Sequence, residues 1–252
     1  MRVIYTNDDG IQAPGIRALV EGAPEGIEPI VVAPASERSA SSHSISLGQK
    51  LRVEEYRYNG IPHFMVHGTP ADCIKFAVAE LRELDARLIV SGVNQGANTG
   101  VSVYYSGTIS AAREGLINRY PALALSLCSR EFTDFRPSVW VANRLIEGYL
   151  SGLFPIDVLL NVNIPPLQAD QLKGIKVTKQ ASSRFVEEFI KEKEHEGKRV
   201  YSLAGEIELY EPDGTSDEEA VADGYVSLTP LRLDLTAYQA FPVFEKWIKK
   251  WQ

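Results

Sequence analysis

The sequence is poor in residues that mark several classes of protein. Only two cysteines, Cys73 and Cys128, occur among 252 residues, too few for a disulfide framework or a cysteine zinc site. No apolar run approaches the roughly 18 to 20 residues that span a bilayer, and the first residues do not form a signal peptide. We therefore expect a cytoplasmic protein with no membrane partner.

Positive charge is also scarce. The net charge is −7 and the isoelectric point is near 5.3, whereas duplex binding requires clustered lysines and arginines. This balance argues against binding to nucleic-acid duplexes. A composition of 44% apolar and 23% charged residues is typical of a globular chain, and its length can bury one large core or two modest ones.

Strand and helix patterns alternate over the first 130 residues, which predicts an α/β fold with βαβ units around a mostly parallel sheet. The segment 44–66 departs from this alternation, and Asn59-Gly60 predicts a hairpin within it. We expect the α/β core to end near residue 165. The predicted strands are 2–6, 29–33, 86–91, 122–127 and 157–164, and the predicted helices are 14–22, 69–83, 108–118 and 137–150.

The composition changes after Pro165-Pro166, so we predict a smaller C-terminal part over residues 166–252. The charged stretches 187–199 and 206–223 are interpreted as solvated faces. Four residues near the terminus follow helical spacing and would form an apolar stripe, which must pack on its own domain or on a neighbouring subunit. They are Phe244, Trp247, Ile248 and Trp251.

Two adjacent carboxylates, Asp8 and Asp9, follow the first predicted strand directly. Ligands of open α/β sheets collect at the carboxyl ends of strands, which favours a metal site here. Both carboxylates can serve one ion only if the backbone turns at this point, and Gly10 makes such a turn plausible. The alternative is a turn whose side chains only cap the helix that begins near Pro14.

A second cluster, rich in glycine and asparagine, follows the strand at 86–91 and occupies residues 92–100. It leads to Ser106-Gly107-Thr108, directly before a predicted helix, and free amides at a helix start bind anions. Ser106 or Thr108 could instead act only as an N-cap. The available oxygen ligands favour magnesium, manganese or calcium, and such an ion beside a helix start suits phosphate-ester cleavage.

Seven groups of motifs follow one another along nearly the whole sequence. They are 7–10 with 13–16, 32–34 with 38–39, 68–73, 91–98, 105–108 with 111–112 and 114–115, 161–165, and 224–231 with 234–236. Together and in this order, they resemble the survival protein SurE family.

The resemblance implies a divalent-metal-dependent phosphatase that acts on nucleoside monophosphates, chiefly 5′-nucleotides, and in some cases on 3′-nucleotides and short polyphosphate. One Mg²⁺ or Mn²⁺ per subunit would be held by a set that includes the two catalytic carboxylates. Transferred to this sequence, the metal ligands are Asp8, Asp9, Ser39 and Asn94, and the phosphate-binding positions are Asn98, Ser106, Gly107 and Thr108.

The resemblance also implies a Rossmann-like core with helices on both faces of the sheet. Members of the family form dimers or tetramers by exchanging a hairpin and the C-terminal helix, which would correspond to the stretch near 182–210 and the aromatic tail. The sequence departs from the family pattern at Ala40, Val93 and Gln12, of which Gln12 replaces a frequent histidine. None of these departures removes a predicted ligand.

Two nucleophiles remain open at the level of sequence, a water molecule and the carboxylate of Asp8. His43 is a candidate acid for the leaving group because it lies in the Ser-rich loop that contains Ser39. Two other classes also use such a site. In a metal-dependent sugar-nucleotide transferase, the paired carboxylates would bridge the diphosphate of the sugar donor. A nucleotide sensor would bind a monophosphate without cleaving it.

Overall fold

The computed structural model describes residues 1–195 and 197–251 and confirms the α/β class. Its strands, in chain order, are β1 Arg2–Thr6, β2 Glu28–Pro34, β3 Val53–Tyr58, β4 Ile61–Val66, β5 Ala86–Gln95, β6 Ala122–Leu127, β7 Leu159–Ile164, β8 Ile175–Val177, β9 Ser183–His195, β10 Lys198–Leu209 and β11 Val226–Leu231. Its α-helices are α1 Pro14–Glu21, α2 Pro70–Glu80, α3 Gly107–Ile117, α4 Arg136–Leu150, α5 Asp217–Ala222 and α6 Phe241–Ile248.

Nine strands form one sheet in the order β3-β4-β2-β1-β5-β6-β7-β11-β8. The central run from β4 to β7 is parallel throughout, whereas β3 and β11 pair antiparallel with β4 and β7. Because parallel strands all point the same way, β1, β5, β6 and β7 end at one edge of the sheet. The candidate site lies at this edge.

Helices cover both faces of the sheet. Because successive side chains of a strand point to opposite faces, each strand contributes to the buried clusters on both sides. Val3 and Tyr5 of β1 belong to one buried cluster, while Ile4 between them belongs to the other. The first cluster includes Ile16 of α1 and Leu145 of α4, so these helices lie on one face. The second includes residues of α2 and α3, which lie on the opposite face.

The hairpin predicted at Asn59-Gly60 is confirmed. Strands β3 and β4 pair antiparallel around these two residues, which have φ values of 51° and 79°. Positive φ at both central positions is the backbone of a type I′ turn, whose twist matches that of the flanking strands.

Strand β5 is longer than the sequence predicts, because it continues past Ser91 to Gln95. The expected end rested on Gly92, but pairing with β6 resumes after a register shift between Ser91 and Asn94. A Cβ atom on Gly92 would lie only 2.4 Å from the carbonyl oxygen of Leu125. Glycine therefore permits a close approach of two strands here and does not end the strand.

The C-terminal part extends the sheet and adds two projecting elements. β11 lies after the predicted boundary at residue 165 but pairs with β7 before it, so both parts share one sheet. β9 and β10 form a separate antiparallel hairpin, and α6 is exposed along its length. Among the described helices, none combines the length and apolar composition needed to cross a membrane.

Candidate active site

Asp8 and Asp9 lie in a tight turn at the end of β1. The Asn7 Nδ2 atom donates to the carbonyl oxygen of Gly10 at 2.8 Å, and Gly10 has a φ of 102°, which lets the backbone reverse. Helix α1 begins after Ala13, and no side chain caps its first turn. The alternative interpretation, in which these acids only cap α1, is therefore wrong.

The carboxyl groups of Asp8 and Asp9 belong to adjacent residues and are largely shielded from solvent. Asp8 is buried, and burial raises its pKa against the opposing effect of a hydrogen bond from Thr108. Asp9 is half-buried, and burial, followed by the charges of Asp8 and Glu37, raises its pKa to about 7. Neither carboxylate has an ion pair among the described residues. A cation between them would offset this unfavourable charge.

Six of the eight predicted site residues line one cleft of about 960 Å³. They are Asp8, Asp9, Ser39, Asn94, Asn98 and Ser106. The structure brings them together from four separate segments of the chain. A volume of this size lies in the range of small-molecule sites, about 300 to 1,000 Å³.

Ser39 and Asn94 add neutral oxygens to the carboxylate pair. The Ser39 hydroxyl donates to Glu37 at 2.5 Å, and the Asn94 Nδ2 atom donates to the Gly96 carbonyl at 2.8 Å. The second bond leaves Oδ1 of Asn94 as the atom that could bind a cation. Carboxylate, hydroxyl and amide oxygens suit Mg²⁺ or Mn²⁺. Within the described residues no cluster of three or more His, Cys, Asp or Glu side chains could hold a metal ion, so a site here would need the neutral oxygens of Ser39 and Asn94.

Asn98 is held rigidly by two asparagines that the sequence analysis did not assign a role. The Asn98 backbone N–H donates to Oδ1 of Asn163 at 2.8 Å, and Nδ2 of Asn161 donates to the Asn98 carbonyl at 2.8 Å. The Asn98 side chain donates to the Ser126 hydroxyl at 2.9 Å. Asn161 and Asn163 are fully buried at alternate positions of the apolar strand β7. This pattern was the available signal that both support a polar site.

The start of α3 meets Asp8 directly. Ser106 is the N-cap of α3 and accepts a hydrogen bond from the Ile109 N–H at 3.1 Å. The N-cap role that the sequence offered for Ser106 is therefore confirmed. Thr108 is fully buried and donates its hydroxyl to Oδ1 of Asp8, so its side chain does not line the cleft. A Cβ atom on Gly107 would lie 2.8 Å from Oδ2 of Asp8. Neither Gly107 nor Thr108 lines the cleft, and the Thr108 backbone N–H also acts on Asp8, where it opposes the rise of the carboxyl pKa.

Sequence reasoning missed the residues that other segments contribute to the cleft. Phe185, Glu187 and Leu203 come from the β9–β10 hairpin, and Tyr105 and Arg130 also line the cleft. No local pattern in the sequence indicates which wall a distant hairpin will form.

The base of the hairpin is fixed to the Gly-rich loop by a buried carboxylate. Asp217 accepts hydrogen bonds from the Gly100 N–H at 3.1 Å and the Ala181 N–H at 2.9 Å. The Ser183 hydroxyl also accepts from the Val101 N–H at 2.9 Å. The wall that the hairpin provides is therefore tied to the segment that contains Asn98.

Neither His43 nor Gln12 lines this cleft. The Nε2 atom of His43 contacts Glu114 of α3 at 2.9 Å. Gln12 lines a different cleft, of about 330 Å³, together with Tyr56 and His63.

Known proteins resemble this chain over most or all of its length. The family model described as "Survival protein SurE" matches residues 3–187. The chain is 41% identical to the 5′-nucleotidase SurE of a Synechococcus strain, over 98% of this chain and 97% of that protein. It is 42% identical to the 5′-nucleotidase SurE of Syntrophobacter fumaroxidans, over 98% and 99%. The crystal structure of the SurE protein from Aquifex aeolicus is similar, with a TM-score of 0.85, 35% identity and coverage of 98% and 99%.

Proposed function

The chain belongs to the survival protein SurE family, and we propose that it is a 5′-nucleotidase that uses a divalent metal ion to hydrolyse nucleoside 5′-monophosphates to nucleoside and phosphate. The observation that carries this proposal is the convergence of Asp8, Asp9, Ser39 and Asn94 on one cleft beside the start of α3. Relatives with 5′-nucleotidase in their names match nearly the full length of the chain.

The proposed ligands of one Mg²⁺ or Mn²⁺ are Asp8, Asp9, Ser39 and Asn94. Their oxygens match the preference of these ions. Burial raises the pKa of both carboxyl groups, and a bound cation would offset the cost of keeping them charged in the cleft. When bound, the ion would offset negative charge on the phosphate and on the attacking oxygen.

The start of α3 and the Asn98 segment would hold the phosphate. Asn98 and Ser106 line the cleft, and the amides of Gly107 and Thr108 begin α3, where the positive end of the helix dipole favours an anion. Asn161 and Asn163 would act indirectly, because their hydrogen bonds fix the Asn98 backbone. These groups would orient the phosphorus for in-line attack.

Water is the proposed nucleophile. The Asp8 side chain is almost fully buried, and its Oδ1 already accepts the hydrogen bond from Thr108, which disfavours attack by Asp8 itself. Rapid acid quench with labelled substrate tests this choice. Label that stays on the protein would establish an aspartyl-phosphate and overturn the water route.

The activity is tested by phosphate release from adenosine 5′-monophosphate, with Mn²⁺ and with EDTA. Release that requires Mn²⁺ supports the proposal, and binding without release would indicate a sensor instead. A transferase would consume a nucleotide-sugar and release no orthophosphate. Parallel assays with adenosine 3′-monophosphate and tripolyphosphate test a wider substrate range. We also propose this range because a cleft of about 960 Å³ is at the upper end of the volumes of small-molecule sites.

We further propose that the chain forms a homodimer or homotetramer by exchanging the β9–β10 hairpin and the C-terminal helix. Both elements project from the fold with exposed apolar side chains. Phe189 on β9 is 66% exposed, Leu203 on β10 is 59% exposed, and Trp251 beyond α6 is 73% exposed. Large apolar surfaces of this kind are typical of interfaces between subunits.

A further inference from the structure

The loop that contains Ser39 is long and irregular. Residues 35–52, all within the described part of the chain, connect β2 to β3 without forming a helix or a strand. Glu37, Ser39 and Ala40 of this loop line the catalytic cleft. Loops longer than about 12 to 15 residues are uncommon in compact domains and need contacts that hold them in one conformation. We call residues 38–42 the Ser39 turn.

The Ser39 turn is strained. Ala40 and Ser42 have φ values of 53° and 51°, in the left-handed region that side chains with a Cβ atom disfavour. Each such residue raises the free energy of the turn, so the turn adopts this form only when contacts outside it compensate.

Hydrogen bonds from the first and last residues of the turn hold its two ends. The Arg38 N–H donates to the carbonyl oxygen of Asp8 at 2.7 Å. At the other end the Ser42 N–H donates to the Tyr105 carbonyl at 3.0 Å, and the Ser42 hydroxyl donates to the Tyr104 carbonyl at 2.8 Å. The turn thus spans from the carboxylate pair to the segment that precedes α3.

Directly after the turn, His43 contacts a carboxylate that is itself firmly fixed. The Glu114 side chain is 2% exposed and belongs to α3. It accepts hydrogen bonds from Lys75 of α2 at 2.8 Å and from Asn118 at 2.9 Å, and its second oxygen lies 2.9 Å from Nε2 of His43. His43 is therefore the side chain of the loop that reaches this rigid point between two helices.

We propose that His43 and Glu114 form an anchor that holds the Ser39 turn in position and thereby sets the affinity of the site for its metal ion. This inference rests on the metal site of the proposed function. It makes His43 a positioning residue, because its contact is with Glu114 and it does not line the cleft. Glu114 has no contact with the Ser39 turn in this scheme and acts only by holding the His43 ring.

The rest of the loop is held separately. Ser46 donates its backbone N–H to Oδ1 of Asp72 at 3.0 Å and its hydroxyl to Oδ2 of Asp72 at 2.7 Å. The Thr69 hydroxyl donates to the carbonyl oxygen of Ser44 at 2.8 Å. These contacts keep the loop attached to α2 when His43 is lost. The Ser39 turn would then rely only on its hydrogen bonds to Asp8, Tyr104 and Tyr105.

The test compares three variants of the full chain. His43→Ala removes the anchor, and His43→Gln keeps a side-chain N–H that can donate to Glu114. Lys75→Met is the matched control, since it removes a different hydrogen bond to the same carboxylate from outside the loop. The measured quantities are the Kd for Mn²⁺, from the electron paramagnetic resonance signal of free Mn²⁺, and kcat and KM for adenosine 5′-monophosphate.

We expect His43→Ala to raise the Kd for Mn²⁺ about tenfold, as loss of outer contacts does at other metal sites, with kcat at saturating Mn²⁺ within about threefold of wild type. His43→Gln and Lys75→Met should keep the wild-type Kd within about threefold. An unchanged Kd in His43→Ala, or an equal rise in Lys75→Met, would overturn the anchor.

A fall in kcat of about 10² or more at saturating Mn²⁺ that glutamine does not rescue would also overturn the anchor, because it would identify His43 as a general acid. Failure of the wild-type chain to bind Mn²⁺ would overturn both the metal site and the anchor. Binding that none of the variants alters would overturn the anchor alone.

Discussion

Thr108 donates the hydrogen of its hydroxyl to Oδ1 of Asp8, across one hundred residues of sequence. The bond ties the first residues of α3 to the turn that ends β1. Both side chains are buried, so solvent cannot replace the hydroxyl if it is removed. The orientation of the Asp8 carboxylate therefore depends on a residue that does not line the cleft.

Replacing Thr108 by valine removes this hydroxyl and keeps the shape of the side chain. Hydrogen bonds to charged groups contribute about 1.5 to 3 kcal/mol, so we expect kcat/KM for adenosine 5′-monophosphate to fall about tenfold to hundredfold. Thr108→Ser keeps the hydroxyl and should stay within about threefold of wild type. Equal activity of the valine and serine variants in a steady-state phosphate-release assay would contradict this role.

Asp8→Asn tests the carboxylate itself. Loss of a proposed metal ligand that carries charge next to the phosphate should lower kcat by about 10² or more, even when Mn²⁺ is saturating. The matched control is Asp85→Asn, because Asp85 is an exposed acid that pairs with exposed Arg87. Full turnover by Asp8→Asn at high Mn²⁺ would count decisively against the proposed site.

Gly107→Ala tests the close packing of α3 on Asp8. The added Cβ atom would lie 2.7 Å from Cβ of Asp8, nearer than real Cβ atoms approach, so the carboxylate must shift. We expect a loss of kcat/KM of about tenfold or more, because displacements near 1 Å can cost up to about 10²-fold. The melting temperature of the variant, measured alongside, separates a local shift of the carboxylate from a general loss of stability.

The control for Gly107→Ala lies in the same helix. The buried hydroxyl of Ser110 has no hydrogen-bond partner in the described part of the chain, so Ser110→Ala should preserve kcat/KM. A similar loss of kcat/KM in both variants would mean that substitutions in this part of α3 lower activity in general. The contact between Gly107 and Asp8 would then not be needed to explain the result.

The sequence predicts those parts of the site that follow from local chemistry. Asp8 and Asp9 follow a β-branched strand and precede a glycine, which places them at the sheet edge without knowledge of the rest of the fold. Asn59-Gly60 similarly predicts its hairpin, because its turn type depends on two adjacent residues. Ser39 and Asn94 required the family resemblance, since a serine in a long loop carries no periodic signal.

Other parts of the site depend on contacts between distant segments. Asn163 supports Asn98 from a strand 65 positions along the chain, and Phe185 reaches the cleft from a projecting hairpin. The strand pattern places Asn163 on β7 but does not specify which loop its amide will meet. His43 illustrates the same point, because proximity to Ser39 in sequence suggested an acid, whereas the fold turns its ring towards Glu114.

Glu114 predicts a pH dependence of stability. Burial raises its pKa, but hydrogen bonds from His43, Lys75 and Asn118 outweigh burial and lower the pKa from 4.5 to about 2. A pKa lower in the folded state means that the carboxylate stabilises the fold fully above its unfolded pKa of 4.5, and that this contribution is lost as pH falls towards 2.

Urea unfolding of wild type and Glu114→Gln measures this contribution. At neutral pH we expect the variant to be about 1 to 3 kcal/mol less stable, because a buried charge-assisted network is broken. The difference should shrink as pH falls below about 4. A difference that stays constant from neutral pH to about pH 3 would show that the carboxylate charge does not contribute.

The exposed stripe of α6 predicts the oligomeric state. Phe244 is 61% exposed and Trp247 is 50% exposed, so a solvated monomer would leave two large aromatic side chains in water. Replacing both with glutamate should prevent docking on a neighbouring subunit and reduce the mass in light scattering towards 27.9 kDa. Lys249→Glu makes a similar change of charge outside the stripe and should keep the wild-type mass. A wild-type chain that is already monomeric at micromolar concentration, or a double variant that keeps the wild-type mass, would contradict exchange through this helix.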